Sequence, residues 1–433
     1  MTDVPTAAVF VVLVVLLVLG VRVFYALLAA GLVGTTYVLE PSQPVEVMSS
    51  AWQQTNSYSL TAIPLFLLMA QVLVRSSIAE DAYASINWLL RRVPGGAAYG
   101  NVIGSTVFAA LSGSSVANAA ALGSIAGPTM VKMGYSQRLT YGTIAAGGTL
   151  GILMPPSSAL IIYGGLTGES ISELFIAGVL PALLVMTLFC LTILLWTLRS
   201  PSIVPDQRSQ ALIQDVGWVH VLRGLVAPTL LVAGILGGIY AGAFTATEAG
   251  AAGVVGALIL AGARRQLSVR SLIESGGATV QMTSVVVMII AGAAALTYVM
   301  GILGLPSELA ITVLGWDLPT TAVLLAIAGV YFLLGLFIES VSILILTIPV
   351  VFPVLEALGV DPVWAGIYIV LLIEIGLITP PVGLNIYVLQ EIAGPNSFRE
   401  IVIGAQPFVV SLAVAVGILI FAPEVATWLP SRM

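Results

Sequence analysis

Charged residues make up only 8% of this 433-residue chain, against 59% hydrophobic. Soluble domains carry roughly 25% charged residues, so there is too little polar surface to face water. A single cysteine, Cys190, permits no intrachain disulfide and reads as core filler. A single histidine, His220, cannot supply the paired histidines of an intramembrane zinc protease. Asp3, Asp81, Asp206, Asp215, Asp317 and Asp361 fall in loops or at span boundaries, which excludes the opposed aspartates of an intramembrane aspartyl protease. No G-x-x-x-x-G-K-[ST] is present for direct use of ATP. No G-x-S-x-G marks a serine hydrolase, which leaves an intramembrane hydrolase a remote alternative.

What the chain does hold is apolar runs long enough to cross a bilayer, among them Leu174–Thr197, Val280–Leu303 and Ile403–Phe421. Mean hydropathy is +1.10. About ten spans fit, with two shorter broken segments, and every span is expected to be helical. The run Ala7–Leu19 lacks a basic flank and an A-x-A cleavage site, so it is expected to be a retained first span rather than a signal peptide. With the N-terminus outside, Arg22, Arg75, Arg91, Arg92, Lys132, Arg138, Arg199, Arg208, Arg223, Arg264, Arg265, Arg270 and Arg399 all fall on the cytoplasmic side and only Arg432 outside. Outer loops from Glu40, Thr167 and Leu355 carry carboxylates and no cations. The positive-inside rule thus sets the orientation. Trp52, Trp88, Trp196, Trp218, Trp316, Trp364 and Trp428 fall near predicted boundaries, as an aromatic belt requires.

Two stretches carry the same punctuation. Leu111, Ser115, Val116, Pro128, Gly134, Gly151, Pro155 and Pro156 recur as Leu336, Ser340, Val341, Pro353, Gly359, Gly376, Pro380 and Pro381, always 225 positions later. Paired Gly- and Pro-broken apolar segments point to the binding site of a secondary transporter. In each unit the first part, Asn101–Pro128 or Ala326–Pro353, reads as a re-entrant hairpin with its tip at Leu111–Ser115 or Gly335–Ser342. Freed backbone at membrane depth is tolerated only where it is buried or lines a wet cavity. The second part reads as a crossing helix interrupted at Gly147–Pro156 or Gly376–Pro381. Adjacent prolines remove two donors, and the carbonyls so exposed suit Na⁺, while half-helix N-termini suit a substrate carboxylate. Five crossings between equivalent points make the second copy inverted.

SGSSVANAAALGSIAGPTMVKMGYS (Ser112–Ser136), GGTLGILMPPSSALIIYG (Gly147–Gly164), GAFTATEAGA (Gly242–Ala251) and GLITPPVGLNIYVL (Gly376–Leu389) resemble the large membrane subunit of the tripartite ATP-independent periplasmic (TRAP) transporters. The resemblance covers nearly the whole chain. It implies an all-α polytopic membrane protein of the ion transporter superfamily, with two inverted repeats, each a re-entrant hairpin and a discontinuous helix, moving as an elevator. The implied division is scaffold spans and an interfacial arm helix at 1–98, transport repeat 1 at 99–165 and scaffold spans with a second arm at 166–319. Transport repeat 2 follows at 320–392 and a C-terminal span at 393–433. The implied function is Na⁺-coupled uptake of a small organic anion across the bacterial inner membrane, delivered by a periplasmic substrate-binding protein. A separate small four-helix membrane subunit is the second implied partner. C4-dicarboxylates, keto acids and sialic acid are compatible substrates, and no nucleic acid partner is implied.

Carried over by position, one Na⁺ site would lie between Ser112–Ser115 and Gly151, Met154 and Pro156. The other would lie between Gly335 and Gly376, Thr379 and Val382. Substrate contacts fall to Ser114, Ser115, Asn118, Ser340 and Ser342. Phe337-Ile338-Glu339 replaces Ser112-Gly113-Ser114 in the second tip. Glu339 and Glu374 are ionisable groups at predicted membrane depth, which marks them for function or for structural hydrogen bonding. Glu248 suits a helix N-terminus beside a capping Thr247, and His220 reads as interfacial. Segment 79–96 has Ala82, Ile86, Leu89 and Leu90 near helical spacing and reads as a helix lying in the interface or as a connecting helix. A stand-alone Na⁺- or H⁺-coupled anion carrier or antiporter of similar architecture is the alternative system, and dependence on a binding protein separates the two. A purely structural subunit would not account for paired breaks.

Overall fold

The computed structural model describes residues 3–38, 44–205 and 217–433. Glu40 of the first outer loop, and Asp206, Arg208 and Asp215 of the central linker, lie outside these residues. The described chain is helical throughout, with no strand. Its first half comprises α1 (Asp3–Val18), α2 (Val23–Val38), α3 (Pro44–Thr55), α4 (Ala62–Val74), α5 (Ile78–Leu90), α6 (Gly96–Ser112), α7 (Ser115–Lys132), α8 (Gln137–Leu153), α9 (Ser158–Thr167) and α10 (Ile171–Arg199). The second half comprises α11 (Gly217–Tyr240), α12 (Ala246–Ala263), α13 (Val269–Ile302), α14 (Leu305–Gly315), α15 (Thr320–Gly335), α16 (Ser340–Ala357), α17 (Pro362–Leu377), α18 (Leu384–Ala393) and α19 (Phe398–Phe421), closed by the single turn α20 (Glu424–Thr427).

The duplication is wider than the two motif units. The offset of 225 that carries Ser115 to Ser340 lays α7 on α16 end for end. It also lays α2 on α12, α5 on α14, α6 on α15, α8 on α17, α9 on α18 and α10 on α19, with ends agreeing to within a few residues. The long α13 takes the place of α3 and α4 together, which are bent by 50°. Packing obeys the same exchange: α2 lies on α13 as α12 lies on α4, and α7 lies on α18 as α16 lies on α9. Each hairpin is therefore seated on its own broken helix and also on the far half of the other copy's.

Among the described residues seven helices have the length and hydropathy of a membrane crossing, or eight with the bent α3–α4 pair counted as one. One of the seven is α16, an arm of the second hairpin, so seven of the expected ten or so crossings have that length and hydropathy. The others are the apolar helices α1, α2 and α17, each of 16 residues, the last of which stops at its proline break.

Polar side chains tie together ends that the charge pattern assigns to one side. Arg75 pairs with Glu274, Arg138 with Glu400 and Arg264 with Asp81 among the expected cytoplasmic ends. Tyr298 with Glu46, and Gln54 with the Gly165 carbonyl, join expected outer ends. Serine and threonine caps start many helices, as their short side chains can accept an N–H of the first turn. Ser136, Ser157, Ser170 and Ser268 do so for α8, α9, α10 and α13. At α12 the cap is Thr245, in a capping box with Glu248, and not the expected Thr247. Thr247 lies inside the helix, two residues past the cap.

Two tryptophans depart from the belt. Trp364 is buried, stacks on Tyr368 at 4.8 Å and donates to the Leu419 carbonyl. Trp88 is buried against Trp218. In α5, Ala82 and Ile86 point inward but Leu89 is exposed, because the helix packs between α6 and α11 rather than along one apolar face. His220 lies in α11, and its side chain falls outside the description.

Candidate functional site at the paired helix breaks

Pro155 and Pro156 have no N–H, so the carbonyls of Gly151 and Ile152 lose the donors that would continue α8. The Ser157 hydroxyl donates to the Ile152 carbonyl and also caps α9. Facing this break, Gly113 ends α6 in the left-handed region (φ 60°), and Ser114 caps α7 by accepting from the Ala117 N–H. Ser158 donates to the Gly113 carbonyl at 2.7 Å. A Cβ on Gly151 would sit 2.5 Å from the Ser114 carbonyl oxygen, so only glycine allows the hairpin to seat. Ser112–Ser115, Gly151 and Pro156 are thus brought together, with Met154 as the extended residue that ends α8. The hydroxyl of Ser112 is buried and has no partner among the described residues. On the far side the tip meets Ile63, Phe66, Leu67 and Met69 around a void of about 10 Å³, an apolar wall with room for one water at most.

The second break repeats the plan. A Cβ on Gly376 would lie 2.4 Å from the Cα of Gly335, so α15 and α17 touch backbone to backbone. Thr379 follows in the break, donating its hydroxyl to the Ile375 carbonyl at 2.6 Å and its N–H to the Gly376 carbonyl at 3.1 Å. Val382 precedes Gly383, whose φ of 58° starts α18. Glu339 stands at the position of Ser114 and does the same work, accepting the Ser342 N–H at 3.2 Å as the cap of α16. Ser340 and Ser342 are both buried beside it.

Both breaks offer backbone carbonyl and hydroxyl oxygens, a donor set that fits a hard cation such as Na⁺. Among the described residues no group of three or more His, Cys, Asp or Glu forms a metal cluster.

The remaining candidate residues fall on a buried polar layer between the repeats. Asn118 is fully buried and donates to the carbonyls of Ser105 and Gly147, bracing the hairpin against α8. Ser115 is 2% exposed and reaches across to Glu374 of α17 and Asn385 of α18. Asn385 escaped the sequence reading. Its one signal there is an amide in the first turn after a proline break, inside otherwise apolar sequence. Among the described residues no hydrogen bond joins the two hairpin tips directly.

Cavities lie apart from these residues. One of about 260 Å³ lies between α3, α9, α13 and α16, with Ser50, Gln54, Thr297 and Tyr298 as its polar lining. A larger one, about 900 Å³, lies between α5, α11 and α12, remote from both breaks, and its Asp81 and Arg264 already pair with each other.

Residues 10–425 match the family model described as tripartite ATP-independent periplasmic transporter, DctM component. The chain is 34% identical to the C4-dicarboxylate TRAP transporter large permease protein DctM of Pseudomonas aeruginosa, over 92% of each chain. It is 29% identical to the ectoine/5-hydroxyectoine TRAP transporter large permease protein UehC of Ruegeria pomeroyi, over 98% of each. In fold it is similar to the YdaH transporter of Alcanivorax borkumensis, with a TM-score of 0.63 over 90% of each chain at 14% identity. The breaks, the hairpins seated on them and the match along nearly the full length lead to one assignment: this chain belongs to the DctM component family, the large permeases of TRAP transporters.

Proposed function

We propose that this permease carries out Na⁺-coupled uptake of a small organic anion across the bacterial inner membrane, with its N-terminus on the periplasmic side. The observation that carries the reading is the pair of proline breaks, each closed by a glycine-to-backbone contact with its own hairpin. At the first break the holding residues would be Ser112, Ser115, Gly151, Met154 and Pro156; at the second, Gly335, Gly376, Thr379 and Val382. Bound Na⁺ supplies positive charge in a region where the chain places no cationic side chain, which offsets the charge of a carboxylate. The N-termini of α7 and α16, capped by Ser114 and Glu339 and begun by Ser115 and Ser340, supply positive helix ends for a substrate carboxylate. Ser342 and Asn118 stand one turn behind them.

The duplicated packing supports an elevator, because each hairpin locks the broken helix of the other repeat and the repeats can shift only as one body. The apolar wall of α4 against the first tip is a surface suited to such sliding. A periplasmic binding protein is the proposed donor of substrate and a small four-helix subunit the proposed membrane partner. C4-dicarboxylates come first as substrate class, with ectoine-type solutes next, since relatives carry those names.

The test is reconstitution with the small subunit in liposomes under an inward Na⁺ gradient. Uptake of labelled succinate, ectoine and other organic acids is then measured with and without the cognate binding protein. Uptake that needs both Na⁺ and the binding protein is expected. Uptake that needs Na⁺ alone would make this a stand-alone carrier.

A further inference from the structure

The polar layer between the repeats lacks a positive charge. Glu374 and Asn385 are fully buried, and Ser115 nearly so. The Ser115 hydroxyl lies 3.0 Å from the Gly148 carbonyl oxygen and 3.0 Å from Glu374 Oε2, and it accepts from Asn385 Nδ2 at 3.1 Å. A hydroxyl has one hydrogen to give. One of its two oxygen contacts therefore goes without. The Asn385 amide is oriented by the Ala145 carbonyl, which Nδ2 faces at 3.5 Å. That leaves Asn385 Oδ1 without a partner among the described residues, and Glu374 Oε1 is in the same position. The ion pairs Arg75–Glu274, Arg138–Glu400, Arg264–Asp81 and Arg270–Glu274 lie elsewhere, near helix ends. Orphaned buried acceptors in a native fold call for an occupant, and buried carboxylates within a membrane pair with something or mark an ion path.

We propose that Glu374, Asn385 and the Ser115 side chain hold a Na⁺ additional to those of the two break sites, adjoining the first of them at Ser115, which ties the first repeat to the second. Oxygen-only ligands with one formal negative charge match a hard monovalent cation. A water could fill the hydrogen bonds but would leave the charge unopposed. A proton on Glu374 could supply the missing hydrogen toward Ser115, yet it donates only once and leaves the orphan acceptors as they are. Gly148 shows that the backbone makes way for this cluster, since a Cβ there would lie 2.9 Å from Asn385 Nδ2. Unlike the break sites, this one has no twin. At the duplication offset, Glu374 corresponds to Thr149 and Asn385 to Leu160, neither of which can bring a carboxylate or amide oxygen. The site bridges α7 and α8 to α17 and α18, so its occupancy holds the two repeats in one body.

The choice of Na⁺ rests on the coupling ion proposed above, and counting bound ions separates the two claims. Equilibrium binding of ²²Na⁺ would be measured on the full permease with its small subunit in nanodiscs. Wild type should bind three ions. Glu374→Gln and Asn385→Leu, the latter installing the residue of the other repeat, should each bind two, with affinity at the third site reduced at least ~10-fold, the scale on which lost ligand support weakens metal sites. Should Glu374→Gln fail to fold, Asn385→Leu carries the test alone. A wild type that binds one ion, lost in both variants, would keep this site and sink the break sites. Variants that bind as many ions as wild type with unchanged affinity would overturn the proposal, including the case in which a proton occupies Glu374.

Discussion

At Gly376 one methyl group decides whether the second hairpin seats. A Cβ there would lie 2.4 Å from the Gly335 Cα and 2.5 Å from its carbonyl carbon, and backbone cannot swing aside as a side chain can. Gly376→Ala is therefore expected to lower stability by about 1–3 kcal/mol, the usual cost of overpacking, and to abolish uptake by prising the hairpin off the break. Gly151→Ala should behave alike, through the Ser114 carbonyl at 2.5 Å. Gly417→Ala, with nothing within 4 Å, is the control that should melt like wild type. Thermal unfolding in detergent and Na⁺-driven uptake would check all three; equal behaviour of Gly376→Ala and Gly417→Ala would refute the argument. These glycines were legible in the sequence because glycine and proline act through the backbone, and their effect is local. Asn385 was not, because its partner Ser115 is 270 positions away and only the folded exchange between repeats brings them together. Asn118 shows the reverse: its polarity stood out in sequence, and the fold spends it on internal bracing.

Between elements, the two hairpins use different side chains for one task. Ser114 caps α7 and Glu339 caps α16, each accepting the N–H three residues on. Glu339 thus has a structural duty that needs an acceptor and no charge. Glu339→Ser, which copies the other repeat, should keep both fold and uptake. Glu339→Ala should cost about 1 kcal/mol as a lost cap, visible as a lower midpoint in thermal unfolding. Loss of uptake in Glu339→Ser at an unchanged midpoint would instead assign the carboxylate to coupling. Hairpins and broken helices could be read from the sequence, because a polar tip or a Pro-Pro pair interrupts an apolar run within a few residues. The duplication of the flanking helices could not. A straight α13 answers a bent α3–α4 pair, and apolar faces of the two are filled by different residues, so only helix ends and packing partners reveal the match.

For the whole molecule, the decisive property is that the copies face opposite ways. Five crossings separate each element from its twin (from α7 to α16 they are the α8–α9 pair, α10, α11, α12 and α13), and an odd number reverses its direction. Inter-helix ion pairs agree with one threading, since each joins ends that it puts on the same side. On the proposed orientation that threading puts thirteen of the fourteen Lys and Arg residues of the sequence on the cytoplasmic side, as the positive-inside rule requires. Lys132 ends α7 and Gly359 follows its twin α16; both are exposed, so both can report. In a Cys190→Ser background, which removes the single native thiol, Lys132→Cys and Gly359→Cys should react with an impermeant maleimide from opposite faces. Gly359→Cys should label in intact spheroplasts and Lys132→Cys only after the membrane is opened. Gly359 has a φ of 71°, so Val360→Cys, next to it in the same turn, serves if that backbone resists a side chain. Labelling from one shared face would mean an even number of crossings between the copies, and the two breaks could then not present alternately to either side of the membrane.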